Sequence, residues 1–457
     1  MLKERTYDVR IYKIEIREHE KATTYRVRWK VDSRVHRMAF ATKAHAESYR
    51  ADLLSAARRG EAFSTGTGLP VSWERAERVM SWFDFACAYM DMKWPNLAGH
   101  SRRISASTLR DVTFALLSTS RGRPDDDTLR RALLEWAFNT RRRNEGEPPE
   151  DLRRAVEWLK QNTRPVGDLE DPSMARKALE ALSTRRDGKR MAASTVQRTR
   201  GVLVNAMQYA IELRLLNRNP ITDLPWKATK SVRQVDRRVV VNPAQARALL
   251  EAVRAQKPSG PRLVAFFALM YYAALRPEEA VNLRKSNLVL LEEGWGELIL
   301  ETANPAPGTA WSNSGDRRDP GPLKHRERGE SRIAPCPPEL TRILHAHLKD
   351  LGAAPDGRIF WALKGGTYLH ESTYHRVWRK ARKAALTEEE FASPLAKRPY
   401  DLRHAAVSTW LNAGVPAPQV AEWAGHSVAV LLHVYAKCIS GQEEQARQRI
   451  ADVLSEE

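Results

Sequence analysis

The chain has 457 residues, of which 42% are hydrophobic and 29% are charged. This composition is that of an ordinary globular protein and excludes a disordered or fibrous one. The length predicts about three domains of roughly 150 residues each. Lys and Arg total 75 against 56 Asp and Glu, a net charge of +19, which favours a polyanionic partner, with a basic soluble enzyme as the alternative.

The cysteines and the hydropathy exclude two further classes of protein. Cys87, Cys336 and Cys438 lie far apart, so the sequence predicts no disulfide framework and favours a reducing compartment. The N-terminus lacks the apolar segment of a signal peptide. The longest apolar run, residues 263–275, is too short to span a bilayer and predicts a buried helix. We therefore expect a cytoplasmic protein that does not enter a membrane.

Residues 1–65 predict a small β-sheet with one helix. Residues 25–31 alternate between apolar and basic side chains, which is typical of a half-buried strand with a cationic outer face. Residues 9–16 predict a partner strand whose alternation slips once near Tyr12. Residues 35–40 predict a third strand, and Thr42 predicts a helix N-cap. Such a sheet can lie in a DNA major groove, or its basic face is simply solvated. The candidate DNA-binding residues on this face are Arg26, Arg28 and Lys30.

Residues 73–222 predict an all-helical domain of four or five helices, which ends at Asn219-Pro220. Its aromatic stripes are typical of a core. Arg198 and Arg200 lie among the apolar positions of the last helix and are candidates for DNA contact. The following basic segment, up to residue 239, predicts either a solvated linker or one that follows a phosphate backbone.

Residues 240–457 form the third predicted domain and carry the chemistry. Arg276 follows the buried helix, and Glu279 stands three residues later, within reach of an ion pair. The alternative is a cation that only stabilises a helix C-terminus. A strand over 297–300 and another over 331–335 predict a hairpin, with Lys324 near its tip. A lysine in such a loop is usually only solvated.

A denser motif follows near the C-terminus. Tyr400-Asp-Leu-Arg403-His404 leads into an amphipathic helix, and His426 stands nine residues before Tyr435. The chain has no phosphate-binding loop, His-Glu-x-x-His or Gly-x-Ser-x-Gly. Any phosphate chemistry must therefore rely on cationic side chains and a side-chain nucleophile, and we expect no metal and no cofactor.

The order Arg276, Lys324, Arg403-His404, His426, Tyr435 resembles that of the tyrosine recombinase (phage integrase) family. The resemblance implies that Arg276 and Arg403 clamp the scissile phosphate, that Lys324 is the hairpin lysine, and that Tyr435 is the nucleophile. His426 matches the second His/Trp position. Tyr400 stands where the family usually has His. The interval from Lys324 to Arg332 is longer than expected for the family, and Lys285 is the alternative candidate for the lysine position.

The resemblance also implies a multidomain, mainly α fold. It comprises an N-terminal arm-binding-like sheet domain, an all-α core-binding (SAM-like) domain and an α+β catalytic domain. Two arginines suit a pentavalent phosphate, since their forked donors match its oxygens and keep their protons. A tyrosine must lose its proton during attack, and Lys324 would protonate the departing 5′-oxygen. The product is a 3′-phosphotyrosyl link.

The implied function is site-specific recombination of double-stranded DNA by a tetramer of the protein. The reaction would take place in a bacterial nucleoid and would integrate or excise a phage or another mobile element. Accessory directionality or bending proteins would be further partners. The alternatives are a topoisomerase of type IB and a non-catalytic DNA-binding regulator of the same fold. A basic helix over 375–383 predicts groove contact or a solvated face; its candidates are Arg376, Arg379, Lys380 and Arg382. The tail over 441–451 predicts an amphipathic helix, packed in cis or on a neighbouring protomer.

Overall fold

The structure is a computed structural model, and it describes most of the chain. The described residues are 5–19, 22–71, 73, 80–226, 234–324, 326–327, 329–363, 365–438, 447–448, 450–452 and 454. They divide into two compact units. The first contains residues Met1–Leu97 and Ile104–Thr229, and the second contains Ala98–Arg103 and Lys230–Glu457. Much of the predicted basic linker, and most of the predicted tail helix, lie outside the described residues.

The first unit begins with a β-sheet and one helix. Its strands are β1 (Arg5–Thr6), β2 (Val9–Ile11), β3 (Glu15–His19), β4 (Ala22–Val31), β5 (Arg34–Phe40) and β6 (Phe63–Ser64), and its helix is α1 (Lys43–Arg58). The long strand β4 pairs antiparallel with β2, β3 and β5. Thr42 caps α1 as predicted, since its Oγ1 accepts from the His45 N–H at 3.3 Å.

The prediction of one strand over 9–16 was wrong, because two strands occupy this span. Ile11 pairs with Trp29, whereas Glu15 pairs with Arg26, so the register shifts by one residue between them. The N–H of Tyr12 still donates to the Arg28 carbonyl at 2.9 Å. This shift is a bulge, and it accounts for the break in alternation at Tyr12.

The two faces of β4 differ as the alternation predicts. Val27, Trp29 and Val31 are buried with α1. Arg26, Arg28 and Lys30 lie on the opposite face, because side chains alternate along a strand. Residues paired directly across strands share a face, so Arg10 joins Lys30 and Arg37 joins Arg28. We call this set, Arg10, Arg26, Arg28, Lys30 and Arg37, the basic sheet face.

The rest of the first unit is helical and contains more helices than predicted. They are α2 (Trp82–Lys93), α3 (Gly99–Ala115, whose residues up to 103 cluster with the second unit), α4 (Asp126–Arg131), a π-helix (Ala132–Ala137), α5 (Thr140–Glu145), α6 (Glu150–Gln161), α7 (Pro172–Ser183), α8 (Ala193–Glu212) and α9 (Pro220–Asp223), with 3-10 turns at Trp94–Asn96 and Val166–Glu170. Asn219-Pro220 does not end the helical region. Asn219 caps α9, because proline fits the first position of a helix, and its side chain accepts from the Ile221 N–H.

The second unit combines helices with a small sheet. Its helices are α10 (Pro243–Arg254), α11 (Val264–Tyr272), α12 (Pro277–Asn282), α13 (Pro338–Leu351), α14 (Glu371–Ala385), α15 (Glu388–Ala392), α16 (Asp401–Asn412), α17 (Ala417–Ala424) and α18 (Val428–Tyr435). Its 3-10 turns are Arg237–Val239, Pro261–Leu263, Lys285–Asn287 and Ala436–Cys438. Its strands are β7 (Leu288–Val289), β8 (Gly296–Leu300), β9 (Thr302–Ala303), β10 (Gly321–Pro322) and β11 (Arg332–Cys336).

Two cores hold the second unit together. The larger one surrounds α11, whose phenylalanines Phe266 and Phe267 are fully buried, and the antiparallel sheet β11-β8-β7 packs on it. The smaller core joins α16, α17 and α18 and contains Tyr435. Within the described ranges, no helix combines the length and apolar character that a membrane span needs.

Candidate active site

Arg276 lies at the start of a helix, not at the end of the apolar one as predicted. Helix α11 ends at Tyr272, Ala274 adopts a positive φ of 51°, and Arg276 is extended with φ −75° and ψ 150°. Pro277 explains this, because a proline disfavours helical backbone in the residue before it and fits the first helical position. The interpretation of Arg276 as a C-terminal helix cation was therefore wrong.

Glu279 holds Arg276 in place, as the sequence predicts. Its Oε1 lies 2.7 Å from Arg276 Nη1, and its Oε2 accepts the Arg276 backbone N–H at 2.8 Å. The carboxylate is buried. Burial alone would raise the pKa of Glu279, but the charges of Arg332 and Arg276 outweigh it and lower the pKa to about 2. Glu279 is therefore a fixed anion that orients two guanidinium groups.

Arg332 is the residue of this cluster that the sequence analysis missed. It begins strand β11 and is 2% exposed. Its Nη2 lies 2.6 Å from Glu279 Oε2, and its Nη1 donates to the Trp423 carbonyl. An arginine on a short strand gives no local signal of a site. Only the pairing of β11 with β8 and the fold of α12 bring it to Glu279.

Arg403 lies in the first turn of α16 and is fully buried at 0% exposure. Its guanidinium donates to the carbonyls of Ala274 and Ala424, and its Nη2 lies 3.0 Å from His426 Nε2. Its Nε has no hydrogen-bond partner among the described residues. Arg403 thus connects α16 to the turn before Arg276 and to the turn before His426.

Gly425 and His426 form the tight turn after α17. Gly425 has φ +65°, and a Cβ there would stand 3.1 Å from Arg332 Nε and 3.4 Å from Arg276 Nη1, so the position requires glycine. Its carbonyl accepts from Arg276 Nη2 at 2.8 Å. Burial, with Arg403 nearby, lowers the pKa of His426 to about 3. The ring is therefore neutral, and because Nε2 faces a donor, we assign the proton to Nδ1.

Tyr435 ends helix α18 and is 1% exposed. Its phenol oxygen lies 2.9 Å from His404 Nδ1, and its ring centroid lies 6.0 Å from that of His426. Burial raises the pKa of Tyr435 above its ordinary value, while Arg403 and Arg276 act to lower it. Tyr435, Arg403 and Arg276 (5% exposed) are all buried.

Tyr400 and His404 complete the cluster in the first turn of α16. Their rings are 5.1 Å apart in a T-shaped arrangement. Burial lowers the pKa of His404 to about 4, so its imidazole is neutral near pH 7. The structure therefore brings together Arg276, Glu279, Tyr400, Arg403, His404, His426 and Tyr435.

The structure does not bring Lys324 to this cluster. Its side chain is exposed in the loop between β10 and β11, and no ion pair within the described part of the chain holds it. Lys285, the rival, is also exposed, in a 3-10 turn. The lysine assignment stays a prediction.

Most of the predicted DNA-binding arginines and lysines are accessible, but Arg382 is not. Arg376, Arg379 and Lys380 are exposed on α14. Arg382 is 4% exposed, and its guanidinium donates to the carbonyls of Leu395 at 3.0 Å and Phe391 at 3.2 Å. It lies on the buried face of α14, four residues after Trp378. The prediction of Arg382 as a DNA contact was therefore wrong, since it ties α14 to the segment around α15.

The two arginines of α8 also differ. Arg198 is exposed. Arg200 is half-buried, donates to the Ile221 carbonyl at 2.9 Å and lies over the Trp226 ring at 4.5 Å. Arg200 therefore ties α8 to α9 and the residues after it.

Comparison with known proteins gives a consistent class. Residues 240–438 match the model of the phage integrase family. The chain is 25% identical over 248 residues to the tyrosine recombinase XerD of Ralstonia nicotianae, covering 53% of this chain and 68% of that protein. Among solved structures, the integrase of transposon Tn1549 in complex with a circular intermediate DNA has a TM-score of 0.47 at 18% identity, covering 70% of this chain and 98% of that one. Lambda integrase bound to DNA has a TM-score of 0.41 at 15% identity, covering 73% and 94%.

The match of residues 240–438 to the family model and the similarity to XerD, together with the clustered arginines, histidines and tyrosine, indicate a tyrosine-type site-specific recombinase. Residues 240–438 belong to the phage integrase family.

Proposed function

We propose that the chain cuts and rejoins double-stranded DNA through a 3′-phosphotyrosyl intermediate on Tyr435. The observation that carries this proposal is the position of the Tyr435 phenol in one buried cluster with three guanidinium groups and two neutral histidines. Of these, Arg276 and Arg403 supply positive charge and forked donors, and His426 Nδ1 is a neutral donor. These groups match the needs of a phosphate that gains negative charge in the transition state.

The reaction conserves the energy of the phosphodiester. The Tyr435 oxygen attacks phosphorus, the bond from phosphorus to the 5′-oxygen breaks, and the free 5′-hydroxyl later attacks the phosphotyrosine in the same way. In this proposal Arg276 and Arg403 bind the non-bridging oxygens, and Lys324 protonates the departing 5′-oxygen. The supporting roles of Glu279 and Arg332 are to fix Arg276 before DNA arrives.

The finer assignments are also proposals. We infer a three-domain division at 1–65, 73–222 and 240–457, in which the basic sheet face and the helical domain bind DNA. Exchange between two duplexes cuts four strands, and each cut consumes one tyrosine, which supports a tetramer on DNA. Integration or excision of a phage or mobile element in a bacterial nucleoid, with accessory bending or directionality proteins, fits this chemistry.

Covalent trapping tests the proposed function. Wild type and Tyr435→Phe are incubated, with EDTA present, with duplexes that carry a randomised central segment, and adducts that survive denaturation are sequenced. Wild type is expected to enrich a defined site and to block digestion from the 3′ end of the cut strand. Tyr435→Phe is expected to bind the enriched site within about twofold and to trap none, since it lacks only the nucleophilic oxygen.

Two results would overturn the proposal. An adduct of equal yield with Tyr435→Phe would place the nucleophile elsewhere. If wild type binds DNA but forms no adduct, even on bound duplexes that carry a nick, the result would favour the non-catalytic regulator.

A further inference from the structure

The phenol oxygen of Tyr435 has one side-chain partner in the described part of the chain. That partner is His404, whose Nδ1 lies 2.9 Å away, and the two rings are 5.7 Å apart at an interplanar angle of 59°. His404 directly follows Arg403 on α16, and successive residues of a helix point about 100° apart. The side chain of Arg403 therefore points toward His426, and the side chain of His404 points toward Tyr435.

The contact has the geometry that proton transfer requires. A general base must lie about 2.6–3.2 Å from the atom whose proton it takes, and a tyrosine must lose its proton as it attacks. Burial lowers the pKa of His404 to about 4, so the ring holds an unprotonated nitrogen near pH 7. Of the charges that face His404, Asp401 raises this pKa, whereas Arg398 and Arg403 lower it.

The other members of the cluster are less suited to accept this proton. His426 Nε2 already accepts from Arg403 at 3.0 Å, and its remaining nitrogen carries a proton. The Tyr400 ring packs against His404 at 5.1 Å. An entering phosphate brings a negative charge that stabilises the imidazolium form of His404, which favours transfer in step with attack.

We propose that His404 is the catalytic base for Tyr435, a role that rests on the proposed function of the site. Its Nδ1 takes the Oη proton as the bond from oxygen to phosphorus forms and the bond to the 5′-oxygen breaks. The departing 5′-oxygen takes its own proton from a separate donor, the role that the proposed function gives to Lys324. In rejoining, the imidazolium returns its proton to the Tyr435 oxygen as that oxygen leaves.

The test is the single-turnover rate of adduct formation on the enriched site, measured against pH. His404→Asn keeps a side-chain amide beside the phenol, so it preserves a hydrogen bond in either direction but accepts no proton. We expect roughly a 10²–10⁴-fold slower adduct formation, DNA binding within about twofold, and loss of the acidic limb that wild type shows. His404→Ala is expected to regain rate in proportion to added imidazole.

The matched control is His345→Asn, which changes an exposed histidine of the same unit and is expected to react like wild type. A His404→Asn rate within about threefold of wild type, or a slow rate that keeps the acidic limb, overturns the role of base. Either result leaves the proposed function intact, because wild type still forms the Tyr435 adduct. Should His404→Asn fail to fold, imidazole rescue of His404→Ala and the wild-type profile decide the point.

Discussion

At the scale of single residues, the site combines one buried anion with neutral histidines. Each of these groups affects the stability of the protein over a different pH range. The pKa of Glu279 is lowered to about 2, so the stability it contributes is present above its unfolded pKa and is lost as pH falls toward 2. The pKa values of His404 and His426 are lowered to about 4 and about 3. Between pH 6.5 and these values the unfolded chain binds more protons, so stability falls as the pH falls.

This separation of pH ranges gives a prediction for the two histidines. Because both histidines are buried as neutral rings, lowering the pH from 7 to 5 is expected to reduce the unfolding free energy by roughly 2 kcal/mol for the pair, after allowance for solvent screening. Urea unfolding at both pH values measures it, in wild type and in the double variant His404→Asn/His426→Asn. The double variant is expected to lose less stability over this range. Equal losses in the two proteins would show that the histidines are not buried as neutral rings.

Site residues that are recognisable from their near neighbours in the sequence were predicted correctly. Residues that reach the site only through contacts distant in the sequence were missed. Glu279 was predicted from its spacing to Arg276, and their ion pair at 2.7 Å follows that spacing. Arg332 was missed, because strand pairing and the turn after α17 bring its partners to it. The prediction that Arg276 ends a helix was wrong, although the next residue already indicated otherwise, because Pro277 favours the start of a helix.

At the scale of elements, helix α14 separates structural arginines from accessible ones. Tyr374, Val377, Trp378 and Ala381 form its buried face, and Arg382 continues that face. The four-residue spacing from Trp378 to Arg382 was visible in the sequence. Helical periodicity is therefore a better guide to which basic residues are exposed than the number of basic residues in the helix. The prediction of the α14 helix itself followed from the same pattern. The register of the strands depends on their pairing, whereas the break in alternation at Tyr12 marked the place of the bulge in the sequence itself.

Helix α14 therefore provides a matched pair of arginine substitutions. Arg382→Ala removes the donors to three carbonyls, those of Leu395, Phe391 and Ser393, and is expected to cost about 2–3 kcal/mol of unfolding free energy. Arg379→Ala, on the exposed face, is expected to change stability by less than ~0.5 kcal/mol. It should instead weaken DNA binding and reduce its salt dependence. Chemical denaturation and DNA titration of both variants measure this, and a stable Arg382→Ala protein would contradict the burial of that guanidinium.

At the scale of the whole molecule, the net charge of +19 includes exposed basic side chains in both units. In the second unit, Arg376, Arg379 and Lys380 are exposed on α14. In the first unit, the basic sheet face contains one acidic neighbour, Glu15, which lies 3.3 Å from Arg28, and Arg28 also lies over the Tyr12 ring at 4.4 Å. Arg10 lies over the same Tyr12 ring at 5.6 Å. Among the described residues, Arg10, Lys30 and Arg37 make no ion pair, so their charges are available to a partner.

Salt dependence distinguishes a DNA-binding sheet face from a merely solvated one. Each phosphate contact contributes about 0.9 to the slope of log affinity against log salt. The double variant Arg10→Ala/Lys30→Ala is therefore expected to lower that slope by roughly 1.8 on DNA that occupies this face. The matched control is Lys43→Ala/Arg58→Ala, which removes the same charge from α1, on the opposite side of the sheet. Equal slopes for the two double variants would mean that affinity depends on total charge alone, and the sheet would then have no DNA site of its own.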